Sequence, residues 1–170
     1  MKVSTKQLWA QELAYMGVRA VTISDVTHIS EIAARAIFKA QHGESAPPGQ
    51  TPSDPNWFVK NRENSFHSAF FLSFYLTVKP HVSTRGMAFS HAYVTYLRAI
   101  GFDEKSARQT APLPAERANL LTKLVEDQND LRQAGRSPIR VCKCRKCRTL
   151  FVGLTNRAEA HCHFCADETK

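Results

Sequence analysis

The sequence lacks the usual signatures of an enzyme. Its 170 residues contain only seven glycines, and no glycine-rich phosphate-binding loop is among them. Acidic residues are scattered singly apart from three short pairs. The segments Ser65–His67 and Ser90-His91 place hydroxyls beside imidazoles, but such close neighbours point apart on a helix and cannot form a nucleophile–base pair. We therefore expect the protein not to be an enzyme.

Membrane-spanning and export segments are also missing. No apolar run approaches the roughly 18 residues that span a bilayer, because His67, Ser68 and Ser73 interrupt the most apolar stretch, residues 66–78. The first residues contain no apolar signal core, so we expect no secretion signal. An odd number of cysteines, five, fits a reducing cytoplasm better than a disulfide framework.

Four of these cysteines have the spacing of a metal site. Cys144, Cys147, Cys162 and Cys165 form two C-x-x-C pairs with fourteen residues between them. Each pair can bring two sulfurs to one point, and two pairs can complete a tetrahedron around Zn²⁺. A Cys₄ set leaves no open position for water or substrate. The pattern therefore predicts one structural zinc ion.

Other interpretations of the cysteines stay open. The pairs could be free thiols, disulfides, or a thioredoxin-type redox motif, although that motif begins a helix after a strand and these pairs lie in loop-like sequence. His161 or His163 could replace a cysteine as ligand. Cys142 lies only two residues before Cys144, so we interpret it as a bystander.

The charge near the cysteines is of one sign. The chain carries a net charge of +8, and no Asp or Glu occurs between residues 132 and 157. Four thiolates with one Zn²⁺ carry −2, so eight cations leave this segment near +6. Such a density favours a polyanion, usually a phosphate backbone, over a merely solvated face. The basic residues of the segment are Arg132, Arg136, Arg140, Lys143, Arg145, Lys146, Arg148 and Arg157.

Apolar periodicity predicts a mostly α-helical protein. We expect a helical bundle over residues 1–136, with a small basic zinc ribbon over residues 137–170. Four prolines make residues 44–56 a linker loop. The predicted helices are 5–20, a short segment 22–28, Ser30 to Gly43, an entry at Asp54-Pro55, 61–78, 84–100 and 115–134. Two apolar runs, 139–141 and 149–154, predict a β-hairpin.

The segment 22–28, a turn at His28-Ile29 and the helix capped by Ser30 resemble a helix-turn-helix. The second helix of such a unit can enter the major groove, although core packing in a small bundle gives a similar pattern. The predicted inward side chains are Ile32, Ala33, Ala36, Ile37 and Ala40. The predicted outward ones are Glu31, Arg35, Lys39 and His42. The predicted DNA-binding residues are Arg35, Lys39, Arg140, Lys143, Arg145, Lys146, Arg148 and Arg157.

Aromatic side chains spread widely around the helix predicted over residues 61–78. Such breadth implies a helix buried on more than one side, either central to the bundle or covered by another subunit. We predict that this surface is exposed and binds a partner. Its residues are Phe66, Phe70, Phe71, Phe74 and Tyr75.

Several motifs occur in order across about residues 15–166. They are ISEIAARAIFKAQHGESAPPG, DPNWF, NSFHSAFFLSFYL, AYVTYL, and C-x-x-C-x-x-x-F from Cys144 to Phe151 ahead of the second C-x-x-C. Together they resemble the FlhC family, the larger subunit of the bacterial flagellar master regulator, and related activators carried by conjugative elements.

The resemblance implies a mostly helical protein of the bacterial cytoplasm with a Cys₄ zinc site at Cys144, Cys147, Cys162 and Cys165. It also implies an FlhD-like partner in a heterohexameric ring, promoter DNA as ligand, and recruitment of RNA polymerase. We therefore expect a DNA-binding transcriptional activator subunit in flagellum biogenesis or conjugative transfer. The alternative is a zinc-ribbon adaptor that binds protein or RNA.

Overall fold

The computed structural model describes residues 4–102, 111–129 and 137–166. The protein is mostly helical, as predicted. None of the helices in these ranges is both long and apolar enough to cross a bilayer. The elements are α1 Thr5–Tyr15, α2 Ala20–Thr27, α3 Glu31–His42, α4 Arg62–Val78, α5 Arg85–Ala99, α6 Ala115–Asn129, β1 Ile139–Lys143, β2 Leu150–Leu154 and α7 His163–Ala166, with 3₁₀ turns at Pro55–Val59 and Lys79–His81.

The first helix is shorter than predicted. It ends at Tyr15, whereas the apolar pattern continued to residue 20. Gly17 has a φ of 76°, a left-handed conformation that glycine adopts without a steric penalty. The next amide, on Val18, donates to the Leu13 carbonyl and closes the helix. The last part of the helix predicted over residues 115–134 lies outside the described residues.

Helices α2 and α3 follow one another across a short turn and contact each other. His28 ends α2 in a left-handed conformation, with φ of 58°. Two residues later the Ser30 hydroxyl accepts a hydrogen bond from the amide of Ala33 and caps α3. Gly43 ends α3 with φ of 75°. The predicted start and end of α3 are therefore confirmed.

The predicted inward face of α3 is largely wrong. The structure buries Ala34 and Phe38, half-buries Ile37, and leaves Ile32 exposed. Ala33, Ala36 and Ala40 are exposed as well. Apolar residues cover more than half the circumference of α3, so its periodicity allows more than one side of the helix to face the core. Packing against α1 and α2 selects the arc that buries the large Phe38 ring rather than three alanine methyls.

The core centres on α4 and α5, which pack through aromatic rings. Phe71 of α4 meets Phe89, Tyr93 and Tyr96 of α5 with ring centroids 6.0–6.1 Å apart. All four side chains are buried. The Tyr93 hydroxyl donates to the Leu113 carbonyl just before α6, which ties the third long helix to the same core.

A partly buried polar cluster holds α2, α5 and α6 together. Asp25 of α2 accepts a hydrogen bond from Asn119 at 2.6 Å and forms ion pairs with Arg85 and Lys123. Burial alone would raise the pKa of Asp25, but these donors and cations outweigh burial and hold it below its usual value. Three helices are therefore joined at one carboxylate.

The predicted β-hairpin is confirmed. Strands β1 and β2 pair antiparallel with Val141 opposite Val152. One side of the hairpin belongs to the main core through Ile139, Val152 and Leu154. The other side packs Phe151 against the cysteine cluster. The hairpin contacts α4 and α6, so the ribbon is packed onto the bundle. The boundary predicted at residue 136 lies outside the described residues and stays a prediction.

Candidate metal centre and its basic surround

The two C-x-x-C pairs meet at one point. The sulfur atoms of Cys144, Cys147, Cys162 and Cys165 all lie within 4.8 Å of one another. Cys147 is exposed, and the other three are buried. Cys144 follows β1, Cys147 lies in the turn before β2, and the second pair spans the start of α7. This arrangement could hold one metal ion in a four-thiolate site.

Backbone hydrogen bonds shape each pair. The Cys144 amide donates to the Thr149 carbonyl and the Arg148 amide donates to the Cys144 carbonyl, at 2.9 and 3.0 Å. Arg148 adopts a left-handed conformation, with φ of 64°, to close this turn. In the second pair the Cys165 amide donates to the Cys162 carbonyl. Both turns therefore aim their two sulfurs to the same side.

A backbone hydrogen bond helps to join the two halves of the site. The Arg145 amide, inside the first pair, donates to the carbonyl of Ala160 at 3.0 Å. This contact brings the segment before Cys162 against the first turn. The two pairs converge even though the fourteen residues between them include all of β2.

The thiols differ in how readily they ionise. Burial opposes ionisation of Cys144, but backbone amides of Cys147, Cys162 and Lys146 outweigh it and lower its pKa to about 5. Burial and the neighbouring thiols instead raise the pKa of Cys165 to about 12. Crowded thiols resist sharing negative charge, whereas a bound cation stabilises all of them as thiolates. The donor set therefore fits a metal cation.

Four of the predicted basic residues, Lys143, Arg145, Lys146 and Arg148, flank the first cysteine pair and are exposed. Arg157 is also exposed, but its amide donates to the Leu154 carbonyl at the end of the hairpin away from the cysteines. Arg140 differs, because it is half-buried and its Nη2 donates to the Arg157 carbonyl at 2.6 Å. Its buried Nε has no hydrogen-bond partner among the described residues. Arg132 and Arg136 lie outside those residues.

Arg35 and Lys39 belong to a different part of the surface. Both are exposed on α3, which packs against α1 and α2, whereas the hairpin packs against α4 and α6. The predicted DNA-binding residues therefore form two groups on separate elements.

The predicted partner surface on α4 needs a correction. Phe71 and Tyr75 are fully buried, so the prediction that they are exposed is wrong. Phe71 fills the α4–α5 core, and the Tyr75 hydroxyl donates to Glu126 of α6. Phe66 is 44% exposed, and Phe70 and Phe74 are half-buried.

Sequence reasoning missed Phe164, which extends this aromatic surface. It lies between Cys162 and Cys165, is 49% exposed, and meets Phe66 edge-on with ring centroids 6.0 Å apart. An apolar cavity of about 310 Å³ lies between α4 and the cysteine cluster beside these two rings. A large aromatic residue inside the second C-x-x-C was the signal in the sequence.

A family model described as "Flagellar transcriptional activator (FlhC)" matches residues 2–170. A segment of 66 residues is 38% identical to the "Flagellar transcriptional regulator FlhC" of Cupriavidus metallidurans, and this match covers 39% of the chain and 30% of that relative's length. The chain belongs to the FlhC family of flagellar transcriptional activators.

Proposed function

We propose that the protein is a DNA-binding subunit of a transcriptional activator. It acts in the bacterial cytoplasm with an FlhD-like partner and activates promoters through RNA polymerase. The observation that carries the proposal is the four-cysteine cluster surrounded by exposed cations on a hairpin fixed to the bundle. Membership of a family of flagellar transcriptional activators supports the regulatory role.

The metal in this proposal is one structural zinc ion. Cys144, Cys147, Cys162 and Cys165 hold it as thiolates, and soft sulfur ligands in a tetrahedral set favour zinc. Four protein ligands close the ion to water, so zinc supplies no chemistry beyond cross-linking β1, the following turn and α7. Removing it frees the backbone that carries the surrounding cations.

The duplex contacts proposed for the ribbon are phosphate contacts. Lys143, Arg145, Lys146 and Arg148 are exposed beside the first cysteine pair, and their charges exceed what one metal–thiolate centre can neutralise. Arg157 adds an exposed cation at the other end of the hairpin. Arginine and lysine in this role fix the register of a protein on DNA without reading sequence. Arg140 supports the surface from behind through its bond to the Arg157 carbonyl. Arg35 and Lys39 on α3 add a second contact.

The partner contact uses the aromatic surface of Phe66, Phe70, Phe74 and Phe164. Phe66 and Phe164 flank the cavity beside the metal centre, where an apolar side chain of the partner can insert. Aromatic anchors in pockets carry much of the binding energy in protein interfaces. Phe71 and Tyr75 contribute only by supporting the surface from inside the core.

A competition experiment tests this function against the RNA- or protein-binding adaptor. Zinc-loaded chain, alone and with the subunit that co-purifies with it, is bound to a fluorescent 30-base-pair duplex. Unlabelled duplex and RNA of equal length then compete. We expect duplex to compete at least tenfold better, and Arg145→Glu with Lys146→Glu to abolish binding while Lys60→Glu, an exposed lysine elsewhere, does not. Equal or better competition by RNA, or no duplex binding at all, overturns the proposal.

A further inference from the structure

Five residues from successive turns of α3 form one exposed arc. Glu31, Ile32, Arg35, Ala36 and Lys39 are the first, second, fifth, sixth and ninth residues of the helix, and all are exposed. At 3.6 residues per turn these positions share one side of the cylinder. Ala34 and Phe38, on a different side of the helix, are buried against the neighbouring helices. Ile32, Ala36 and Lys39 are the members of the arc farthest from that buried side, whereas Glu31 and Arg35 also line a cleft with Arg19 and residues 45–49.

Ile32 makes this arc unusual for a solvated surface. It is 81% exposed, the most exposed of the large apolar side chains that the structure describes. The methyl group of Ala36 lies one turn further along the same arc. Within a major groove, the apolar feature that such a pair can contact is the 5-methyl group of thymine.

Arg35 gives the arc a second side chain that can contact a base. Its Nη2 lies 2.5 Å from Oε1 of Glu31, one turn earlier, and both side chains are at least half exposed. The carboxylate restrains the guanidinium along the exposed arc, where its planar donors can pair with O6 and N7 of guanine. Side chains three residues apart, such as Ile32 and Arg35, have Cβ atoms about 5–6 Å apart. That spacing corresponds to one or two base-pair steps.

We propose that α3 reads a thymine and a guanine within two base-pair steps of each other. Ile32 and Ala36 contact the thymine methyl, Arg35 pairs with the guanine, and Lys39 contacts a phosphate. This inference rests on the proposed duplex binding and adds to it the residues that determine sequence preference. The basic ribbon supplies affinity, and α3 supplies selectivity.

Selection from random DNA tests the inference without a known operator. Zinc-loaded full chain, with the subunit that co-purifies with it, selects from two pools of duplexes with 20 random positions. One pool contains thymine, and the other contains uracil in its place. Bound and unbound fractions are sequenced for the wild type and for Ile32→Ala, Arg35→Ala and Leu8→Ala. Leu8 is an exposed aliphatic residue of α1 and is the matched control.

We expect the wild type to prefer thymine at one position by about fourfold, which corresponds to burial of one methyl-sized group. In the uracil pool this preference should be lost. Ile32→Ala should lose the thymine preference alone. Arg35→Ala should weaken the preference for the neighbouring guanine by about tenfold. Leu8→Ala should change neither the thymine nor the guanine preference.

Different failures point to different errors. Selection of the same bases by wild type and Ile32→Ala, or equal effects from Leu8→Ala, overturns the reading role of α3 while duplex binding stands. Loss of the co-purifying subunit in Ile32→Ala with base preferences unchanged makes this arc a protein interface and overturns the inference. Absence of any duplex selection overturns the proposed function together with it.

Discussion

The sulfur atoms of Cys147 and Cys162 lie 3.7 Å apart across the junction of the two C-x-x-C pairs. In a tetrahedral zinc site with zinc–sulfur distances of about 2.3 Å, neighbouring sulfurs are about 3.8 Å apart. The pair therefore already has the separation that an ion requires. This separation depends on both halves of the ribbon, because Cys147 belongs to the first C-x-x-C pair and Cys162 to the second.

Replacing one thiolate should remove the metal and the fold of the ribbon together. We expect Cys162→Ser to lose stoichiometric zinc, because a structural site with three thiolates binds far more weakly and metal-binding free energy is also folding free energy. Cys142→Ser is the matched control, because the Cys142 sulfur is not one of the four clustered sulfurs, and it should keep one zinc per chain. Metal analysis of purified protein checks both variants. Full zinc in Cys162→Ser would show that the ligands are assigned wrongly.

Gly86 should tolerate no larger residue. A Cβ at this position would lie 1.7 Å from the carbonyl oxygen of Val26, so α2 and α5 pack backbone to backbone there. Gly86→Ala should lower the free energy of unfolding by about 3 kcal/mol, because the clash is with main chain that cannot rotate away. Thr95→Ala, at an exposed position of the same helix, should change it by less than about 0.5 kcal/mol. Urea unfolding measures both, and equal midpoints would refute the close packing.

Removing the Asp25 carboxylate should weaken the junction of three helices. Asp25→Ala leaves the buried amide of Asn119 without its acceptor and Arg85 without its anion. We expect a loss of about 1–2 kcal/mol in the free energy of unfolding. Glu12→Ala, which breaks the more exposed pair with Arg98, should cost less than about 0.5 kcal/mol. Thermal unfolding compares them, and a larger loss in Glu12→Ala would contradict this ranking.

His67 should make stability depend on mildly acidic pH. Burial lowers its pKa, although Glu63 acts in the opposite direction. Nδ1 of His67 lies 3.0 Å from the Tyr96 hydroxyl, which accepts from the Leu113 amide and can donate its own proton to the neutral ring. As the pH is lowered, the unfolded chain therefore protonates His67 at a higher pH than the folded chain does. The free energy of unfolding is highest above about pH 6.5 and decreases as the pH falls below it. His67→Gln keeps an acceptor and should show a smaller fall between pH 7.5 and 5.5. Urea unfolding with excess zinc at both pH values measures this, and an unchanged fall would exclude His67 as the source.

Local signals in the sequence were sufficient to predict most helix ends and the metal cluster. Ser30, Asn61 and Thr84 cap their helices through side-chain oxygens, and Gly43 ends α3. The C-x-x-C spacing predicted the four clustered sulfurs in the same way. These features depend on residues only a few positions apart, or on a motif with one common geometry.

Features that depend on packing between distant elements were not predictable from one sequence. Phe71 and Tyr75 are in the core because α5 and α6 cover that side of α4, while Phe66 on the same helix stays exposed. The apolar side of α3 is so wide that either of two sides could face the core, and the side used leaves Ile32 exposed. The side of the hairpin that joins the main core, through Ile139 and Val152, was equally hidden from local patterns.

The most direct test of the account measures how duplex affinity depends on salt, with and without zinc. Fluorescence anisotropy of a labelled duplex is recorded across a salt series for zinc-loaded protein and for protein stripped by a chelator. If about six phosphates are neutralised, the logarithm of the binding constant should fall with the logarithm of salt at a slope near −5. Zinc removal should weaken binding and flatten that slope. A slope near zero, or the same steep slope and affinity without zinc, would contradict the claim that the metal centre holds the cations in place for DNA.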